Sequence, residues 1–329
     1  MKKVLVTEFI DDKALDILKE VAEVIYIPET GMDDFNRLIG ELDALVLNTT
    51  LQMTPEVMDS APKLKVISRT GTGVDNINVP AATERGIMVL HTPDATTMSV
   101  AEHTVALIGA IAKHLLFLDS ELRKGNFKTA RRLYLPIDLD GKTLGIIGFG
   151  RIGREVARKC ITAFNMKVLM YDSYFTGTDL PEGITKCDSE EQVFSEGDII
   201  SIHMPLTSET QNHVNERLLS LIKPTSYLIN TARGRIVDEH YLALMLREKR
   251  LAGAAFDVLA NEPPLLTDDL LNAPNMIITP HCAPLTIECL SRISCEAAIG
   301  VADWIEGRTP KFIYNRQGLM ERSQKSGTK

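Results

Sequence analysis

The stretch that most constrains this chain is TLGIIGFGRIGREVA, from Thr143 to Ala157. An apolar run leads into Gly148-x-Gly150-x-x-Gly153, and residues at helical spacing follow. A strand that turns this tightly into a helix leaves the first helical N–H groups, and the partial positive charge of that helix end, at one point. Each glycine then has its own reason. The first permits the turn, the second lets backbone reach a pyrophosphate, and the third lets helix pack on strand. The next apolar run, 167–172, ends at Asp172, about twenty residues further on, where an acid would hydrogen-bond the ribose hydroxyls of NAD and repel the 2′-phosphate of NADP. No Lys or Arg follows Asp172 before Lys186. The reading is a dinucleotide-binding unit that prefers NAD. A tight turn without cofactor and a preference for NADP are the competing readings.

The rest of the chain repeats the same rhythm. Apolar runs at 3–9, 24–28, 44–48, 64–69 and 87–92 read as strands, separated by helical patterns at 11–21, 32–40, 55–62 and 79–86. A second series has strands at 143–148, 167–172, 198–203, 226–231, 253–258 and 276–281. Strands that alternate with helices imply parallel sheets covered on both faces. The length of 329 residues suggests two domains. Between the two series, a continuous helix is expected from Ser99 to about Arg123, too apolar for a surface helix. The segment 124–142 reads as irregular, a helix is expected from Thr286 to about Glu306, and the tail after Gly318 reads as polar and loose.

Charge and cysteine usage exclude several classes. The net charge of −8 and scattered Lys and Arg argue against nucleic acid as a partner. Cysteines at 160, 187, 282, 289 and 295 are odd in number and form no CxxC, so neither a disulfide framework nor a structural zinc site is expected. The histidines show no metal-ligand spacing, no metal is assigned, and Cys282 reads as a buried, inert thiol. No run reaches the ~18 apolar residues of a membrane span. The N-terminus reads as a first strand, and a soluble cytoplasmic protein is expected.

Three side chains stand at the ends of expected strands in the second series. Arg233 follows 226–231, Glu262 follows 253–258, and His281 ends 276–281. In an open parallel sheet, ligands bind beyond the carboxyl ends of the strands. Hydride reduction of a ketone builds negative charge on oxygen, which a histidine can meet with a proton. A neighbouring carboxylate favours the imidazolium. Arginine holds a carboxylate bidentately and stays charged. The three together describe interconversion of a 2-oxo and a 2-hydroxy acid. Taken singly, each has a plainer reading, as an ion-pair partner, a loop residue or a structural histidine.

The motifs SRTGTGVDNINVPAATERGI, SVAEHTVALI, GKTLGIIGFGRIGREVA, INTARGRIVDEHYL, GAAFDVLANEPP and TPHCAPLT cover nearly the whole chain. In these the sequence resembles the D-isomer-specific 2-hydroxyacid dehydrogenases, a family that includes phosphoglycerate dehydrogenase and hydroxypyruvate reductases. The resemblance implies a Rossmann-type doubly wound NAD domain, 100–284, inserted in a flavodoxin-like substrate domain formed by 1–99 and 285–329. Crossings near Thr92–Ser99 and His281–Thr286 would act as a hinge. It implies Arg233, Glu262 and His281 as the catalytic set, with Arg233 and the N–H groups of Gly73 and Val74 on the substrate carboxylate. It places Arg151 and Ile152 at the pyrophosphate, Asp172 at the ribose, and Thr72, Met204, Thr231, Ala232 and Asp257 along the rest of the NAD site, Asp257 at the carboxamide. It implies a homodimer through the helix after Ser99 and the segment that follows. Phosphoglycerate-specific relatives carry a basic residue after the third strand, where this chain has Asn48 and Thr49; Arg69 is retained, and Arg131 or Arg132 would reach a neighbouring subunit's site. Glu262 in place of Gln disfavours formate. A non-catalytic NAD-sensing protein is the rival of a different class.

Overall fold

The computed structural model describes residues 1–28, 31–47, 50–133, 135–177 and 180–326. The chain forms two compact units, Met1–Thr96 with Leu285–Lys329, and Thr97–Pro284.

In the first unit, β1 (Lys2–Val6), β2 (Ala22–Tyr26), β3 (Ala44–Leu47), β4 (Val66–Arg69) and β5 (Met88–Leu90) form one sheet in the order β2-β1-β3-β4-β5. Every pairing is parallel. The helices α1 (Asp12–Val21), α2 (Met32–Leu38), α3 (Pro55–Asp59) and α4 (Val79–Glu84) connect the strands. Because side chains alternate across a strand, the sheet has two apolar faces. Val4, Val6, Val46 and Val66 pack on Ala14 and Leu18 of α1. Leu5, Leu45, Leu47 and Ile67 pack on Phe35, Met58 and Ala82 from the other three helices.

The connection between units departs from expectation. The first long helix, α5 (Pro93–Ala112), starts earlier than Ser99 and stops earlier than Arg123. Pro93 opens it with a φ suited to a helix start, and Asp94 favours the positive end. His114, at φ 51°, breaks it, and α6 (Leu115–Arg123) follows as a separate helix. By length and composition α5 would pass for a membrane span. Its Ala101, Leu107, Ile108 and Ile111 are instead buried in the core of the second unit. The segment 124–142, expected to be irregular, contains α7 (Phe127–Leu133).

In the second unit, β6 (Thr143–Ile147), α8 (Arg151–Phe164), β7 (Lys167–Tyr171), β8 (Ile184–Lys186), α9 (Glu190–Glu196), β9 (Ile199–Ile202), α10 (Glu216–Leu219), β10 (Tyr227–Asn230), α11 (Glu239–Arg247), β11 (Gly253–Phe256) and β12 (Met276–Ile278) follow in order. Seven parallel strands lie in the order β12-β11-β10-β9-β6-β7-β8. The sequence suggested six. The missed strand, β8, is a three-residue edge strand whose Thr185 and Lys186 are exposed, so it lacks an apolar pattern. One face, with Leu144, Ile146, Val168 and Ile229, packs on α5 and α8. The other, with Ile147, Ile200, Leu228 and Phe256, packs on α9, α10 and α11.

The chain ends with α12 (Ile287–Ile305) and α13 (Arg316–Ser326), both in the first unit. Ala297, Ala298 and Val301 of α12 complete the core against α1. The tail expected to be loose is α13. It docks through polar contacts: Arg322 donates to the Glu84 carbonyl, and Asn315 donates to Thr83 and the Ile87 carbonyl. Contacts of that kind leave no hydrophobic period to read.

His203, just after β9, is half-buried, with Nε2 2.8 Å from the Ser201 hydroxyl, and burial of the ring pushes its pKa down from 6.5 to about 3. The folded state keeps this ring neutral while the unfolded chain protonates it first, so stability falls as pH drops below about 6.5. Between pH 7 and pH 5 the ring should cost about 2 kcal/mol. Urea unfolding at both pH values should show that difference shrinking by about this amount in His203→Asn. An unchanged difference would show that the ring does not titrate this way.

Candidate active site

The three fingerprint glycines meet three different demands. Gly148 has φ 92°, and a Cβ there would sit 2.7 Å from the His203–Met204 peptide. A Cβ on Gly153 would lie 2.3 Å from the Gly148 carbonyl oxygen, so helix α8 packs on β6 only with glycine at this position. At Gly150 a Cβ would meet nothing within 4 Å. That position faces open space, as close approach to a pyrophosphate requires. Gly150 also begins α8 without a side-chain cap, whereas Asp11, Thr54, Ser189 and Asp238 cap their helices with side-chain oxygens. The N–H groups at this end therefore have no protein side chain as a cap, and the residues fit a dinucleotide. Arg151 is exposed at the first turn, and Ile152 is half-buried against the core.

Asp172 stands just after β7. Its Oδ2 accepts the Phe149 N–H at 2.7 Å, and its Oδ1 accepts the Tyr174 N–H at 2.8 Å. The acid is thereby tied to the glycine turn itself. Met204 follows β9 and packs against the core. Thr231, after β10, is buried, with its hydroxyl 2.8 Å from that of Thr104 on α5; Ala232 is half-buried.

The stretch after β10 builds the reactive corner. The Asn230 side chain accepts the Ala232 N–H at 3.0 Å and donates to the Arg233 carbonyl at 3.0 Å. This ties the turn that delivers Arg233. Arg233 donates to the Ala232 carbonyl at 2.7 Å. Gly234 also has a purpose, and it is not ligand access. A Cβ there would lie 1.9 Å from the Leu259 carbonyl carbon and 2.3 Å from the Ala260 nitrogen. What approaches Gly234 is the chain's own loop, which carries Glu262.

The same stretch holds that loop from other sides. Arg235 donates to the Ala260 carbonyl at 3.1 Å, and Glu239 accepts the Ala260 N–H at 2.7 Å. Burial pushes Glu239 up to about 6, with Asp268 and Glu262 adding to the rise against the Ala260 hydrogen bond. Asn230, Arg235 and Glu239 were not singled out from sequence, because each looks like an ordinary turn or helix-start residue.

Glu262 Oε1 accepts the Leu259 N–H at 2.9 Å, and its Oε2 lies 2.7 Å from His281 Nδ1. Burial works against ionisation of Glu262. The His281 hydrogen bond, the Leu259 N–H and the charges of His281 and Arg233 outweigh it and hold the acid below the usual carboxylate range. The second unit thus brings Arg233, Glu262 and His281 together at the carboxyl end of its sheet. With Nδ1 engaged by Glu262, Nε2 is the nitrogen left to exchange a proton.

His281 is positioned by Asp257, which is 1% exposed at the end of β11. The Asp257 carbonyl accepts the His281 N–H at 2.7 Å, and His281 adopts φ 51°. The Asp257 carboxylate takes the Thr279 hydroxyl at 2.5 Å and the N–H groups of Cys282 and Ala283 at 2.9 Å each. Burial raises its pKa, but His103, Thr279 and these N–H groups bring it below the usual value. Cys282 is half-buried rather than buried, and burial together with Asp257 pushes its thiol up.

In the first unit, Thr72, Gly73 and Val74 form a turn after β4. The Thr72 hydroxyl lies 2.6 Å from that of Thr96, and the Thr72 carbonyl lies 2.9 Å from His91 Nδ1. Val74 is buried, and its carbonyl accepts the Ile77 N–H. Thr70 donates to Glu8, whose pKa burial raises to about 7 against the pull of Thr70 and Arg69. Asn48 and Thr49 lie outside the described residues.

The sequence model described as "D-isomer specific 2-hydroxyacid dehydrogenase, NAD binding domain" matches residues 105–283. This chain belongs to that family. It is 38% identical to a glyoxylate reductase of Thermofilum pendens, over 97% of this chain and 96% of the relative. It is 36% identical to a D-3-phosphoglycerate dehydrogenase of Synechocystis, over 97% of this chain but only 57% of that longer protein. The crystal structure of a D-lactate dehydrogenase from Aquifex aeolicus, complexed with NAD and lactic acid, matches with a TM-score of 0.82 and 31% identity, covering 92% of this chain and 96% of that one. The family is one of enzymes that bind a nicotinamide dinucleotide.

Since Gly234 sets the distance between Arg233 and the Glu262 loop, Gly234→Ala should displace that loop. Overpacking against backbone costs about 1–3 kcal/mol, and misplacement by about 1 Å can cost about 100-fold in rate. Thermal unfolding and steady-state kinetics of the variant test this together. Wild-type values in both would show that the close approach is unimportant.

Proposed function

We propose that this protein is an NAD-dependent dehydrogenase of small D-2-hydroxy acids, working between such an acid and its 2-oxo counterpart. The observation that carries the reading is the 2.7 Å pair of His281 Nδ1 and Glu262 Oε2, within the electrostatic reach of Arg233, on the sheet that holds the glycine turn. A nicotinamide dinucleotide, when bound, would supply the hydride chemistry at the substrate C2 carbon.

The rest is done by the chain's own groups. Arg233 binds the substrate carboxylate and the carbonyl oxygen, keeping its charge throughout. His281 delivers a proton from Nε2 to the oxygen in reduction and takes it back in oxidation. Glu262 fixes the ring orientation through its hydrogen bond with Nδ1. The N–H groups of Gly73 and Val74 belong to the same reading as carboxylate donors. Gly148, Gly150, Arg151, Ile152 and Gly153 would hold the pyrophosphate, Asp172 the ribose, and Thr72, Met204, Thr231, Ala232 and Asp257 the remainder of the cofactor. The proposed substrates are glyoxylate, hydroxypyruvate and related acids. The glyoxylate reductase named above supports the first, and the phosphoglycerate dehydrogenase keeps a phosphorylated acid in the panel.

A homodimer in the cytoplasm completes the reading. Its support is a run of exposed large apolar side chains, Leu115, Leu116, Leu122, Phe127 and Leu135, along α6, α7 and the segment beyond. Light scattering should give twice the chain mass of 36.4 kDa. A monomer at micromolar concentration would remove the dimer from the proposal.

Purified protein should oxidise NADH with at least one acid from a panel of glyoxylate, hydroxypyruvate, pyruvate and bulkier 2-oxo acids. His281→Ala should lower kcat by about 10²–10⁴-fold. Arg233→Lys should lower kcat/KM by about 10- to 100-fold, since it loses the bidentate hold. Tight NADH binding without turnover of any acid would point instead to an NAD-sensing binding protein.

NADH should outperform NADPH in kcat/KM, and Asp172→Ala should narrow the gap. A wild-type preference for NADPH would contradict the role given to Asp172.

A further inference from the structure

Residues distant in sequence meet behind the reactive histidine. His103 comes from α5, Asp257 from the end of β11 and Cys282 from just past β12. Their ligand atoms all lie within 4.8 Å of one another. His103 Nε2 is 3.4 Å from Asp257 Oδ1, and Cys282 Sγ is 3.6 Å from the same oxygen. Zinc bonds of ordinary length in a tetrahedron separate nitrogen from oxygen by about 3.3 Å and sulfur from oxygen by about 3.5 Å. The two separations from Asp257 are thus close to what a zinc ion imposes, and the third pair of ligand atoms lies within 4.8 Å.

We infer that His103, Asp257 and Cys282 form a site for one borderline-soft divalent cation of the zinc class, and that its occupancy inhibits the enzyme. Imidazole, carboxylate and thiolate are the donor set that selects zinc over magnesium or calcium. Three protein ligands leave a fourth position for water. Asp257 is enclosed, but His103 and Cys282 are each partly open, which gives a cation a way in. Helix α5 and the ends of two neighbouring strands carry the ligands, so little ordering is needed on binding. The neighbours of Asp257 would adjust: Thr279 donates its proton to Asp257 and so accepts from His103 Nε2 at 3.0 Å, and that ring proton would move to Nδ1 to leave the Nε2 lone pair for the metal.

The exchange balances without an oxidant. The Cys282 S–H bond breaks, a metal–sulfur bond forms, and the proton passes to solvent. Inhibition follows from position, and this part rests on the function proposed above. Asp257 is the residue assigned to the carboxamide, its carbonyl holds the His281 N–H, and Cys282 is the next residue after His281. A cation here would lock the acid and the segment that must position the proton donor.

The test uses the purified, cofactor-free protein. Calorimetric titration with Zn²⁺ should show one equivalent bound, and titration with Co²⁺ should show a thiolate-to-cobalt absorption band. Both should weaken at least tenfold in Cys282→Ser and in His103→Gln, and remain in Cys295→Ser, which removes another partly exposed thiol. The part-buried pair His213–Glu190 and the exposed pair His240–Asp269 offer stray sites, and unchanged Zn²⁺ affinity in Cys282→Ser would overturn the assignment in their favour. Zn²⁺ should also inhibit NADH oxidation in the wild type, with at least tenfold lower potency on Cys282→Ser. Binding that depends on Cys282 but leaves turnover untouched would overturn the inhibitory role. A protein that turns over no 2-oxo acid would sink the functional reading alone, because the titrations report on the cation site independently.

Discussion

The contact between Gly234 and the Leu259–Ala260 peptide is the constraint on which the reactive corner depends. A Cβ at 234 would occupy the space of that peptide. The two segments therefore approach as backbone against backbone, and each carries a charged group. Arg233 is on one side, and Glu262 lies three residues beyond Leu259 on the other. Arg235 and Glu239 then fasten Ala260 from its carbonyl and its N–H. A loop held this way presents Glu262 in one place, and Glu262 in turn fixes His281. The precision of the site comes from short polar contacts laid on a packed sheet.

The sheet supplies the framework by direction alone. All strands of the second unit run parallel, so their carboxyl ends lie along one edge. The glycine turn after β6, Arg233 after β10, Asp257 after β11 and His281 after β12 are all delivered there. Parallel strands buried on both faces must be apolar throughout, which leaves chemistry to the residues just beyond them. Asp257 shows how tightly the two layers are joined. It is buried, charged and surrounded by donors, and it sets the backbone path of the segment that carries His281.

Much of this was legible in the residues, and the failures have physical causes. The strands of both sheets were readable because burial on two faces demands continuous Val, Ile and Leu. β8 was not, because an edge strand of three residues has little to bury. The end of α5 was missed because His114 takes a left-handed conformation that no residue pattern announces. The helix α13 was read as loose because it docks through Asn315 and Arg322 rather than an apolar stripe.

The amino-acid sequence by itself determined the α/β class, the family, the glycine turn and the charged trio. Each rests on local spacing or on the need of a parallel strand to be apolar. Only the tertiary structure decided what touches Gly234, which nitrogen of His281 is engaged, and that His103, Asp257 and Cys282 share one small space. Those facts depend on separations of tens to hundreds of residues being closed by packing. A linear pattern carries no distance of that kind until the sheet and its covering helices have set it.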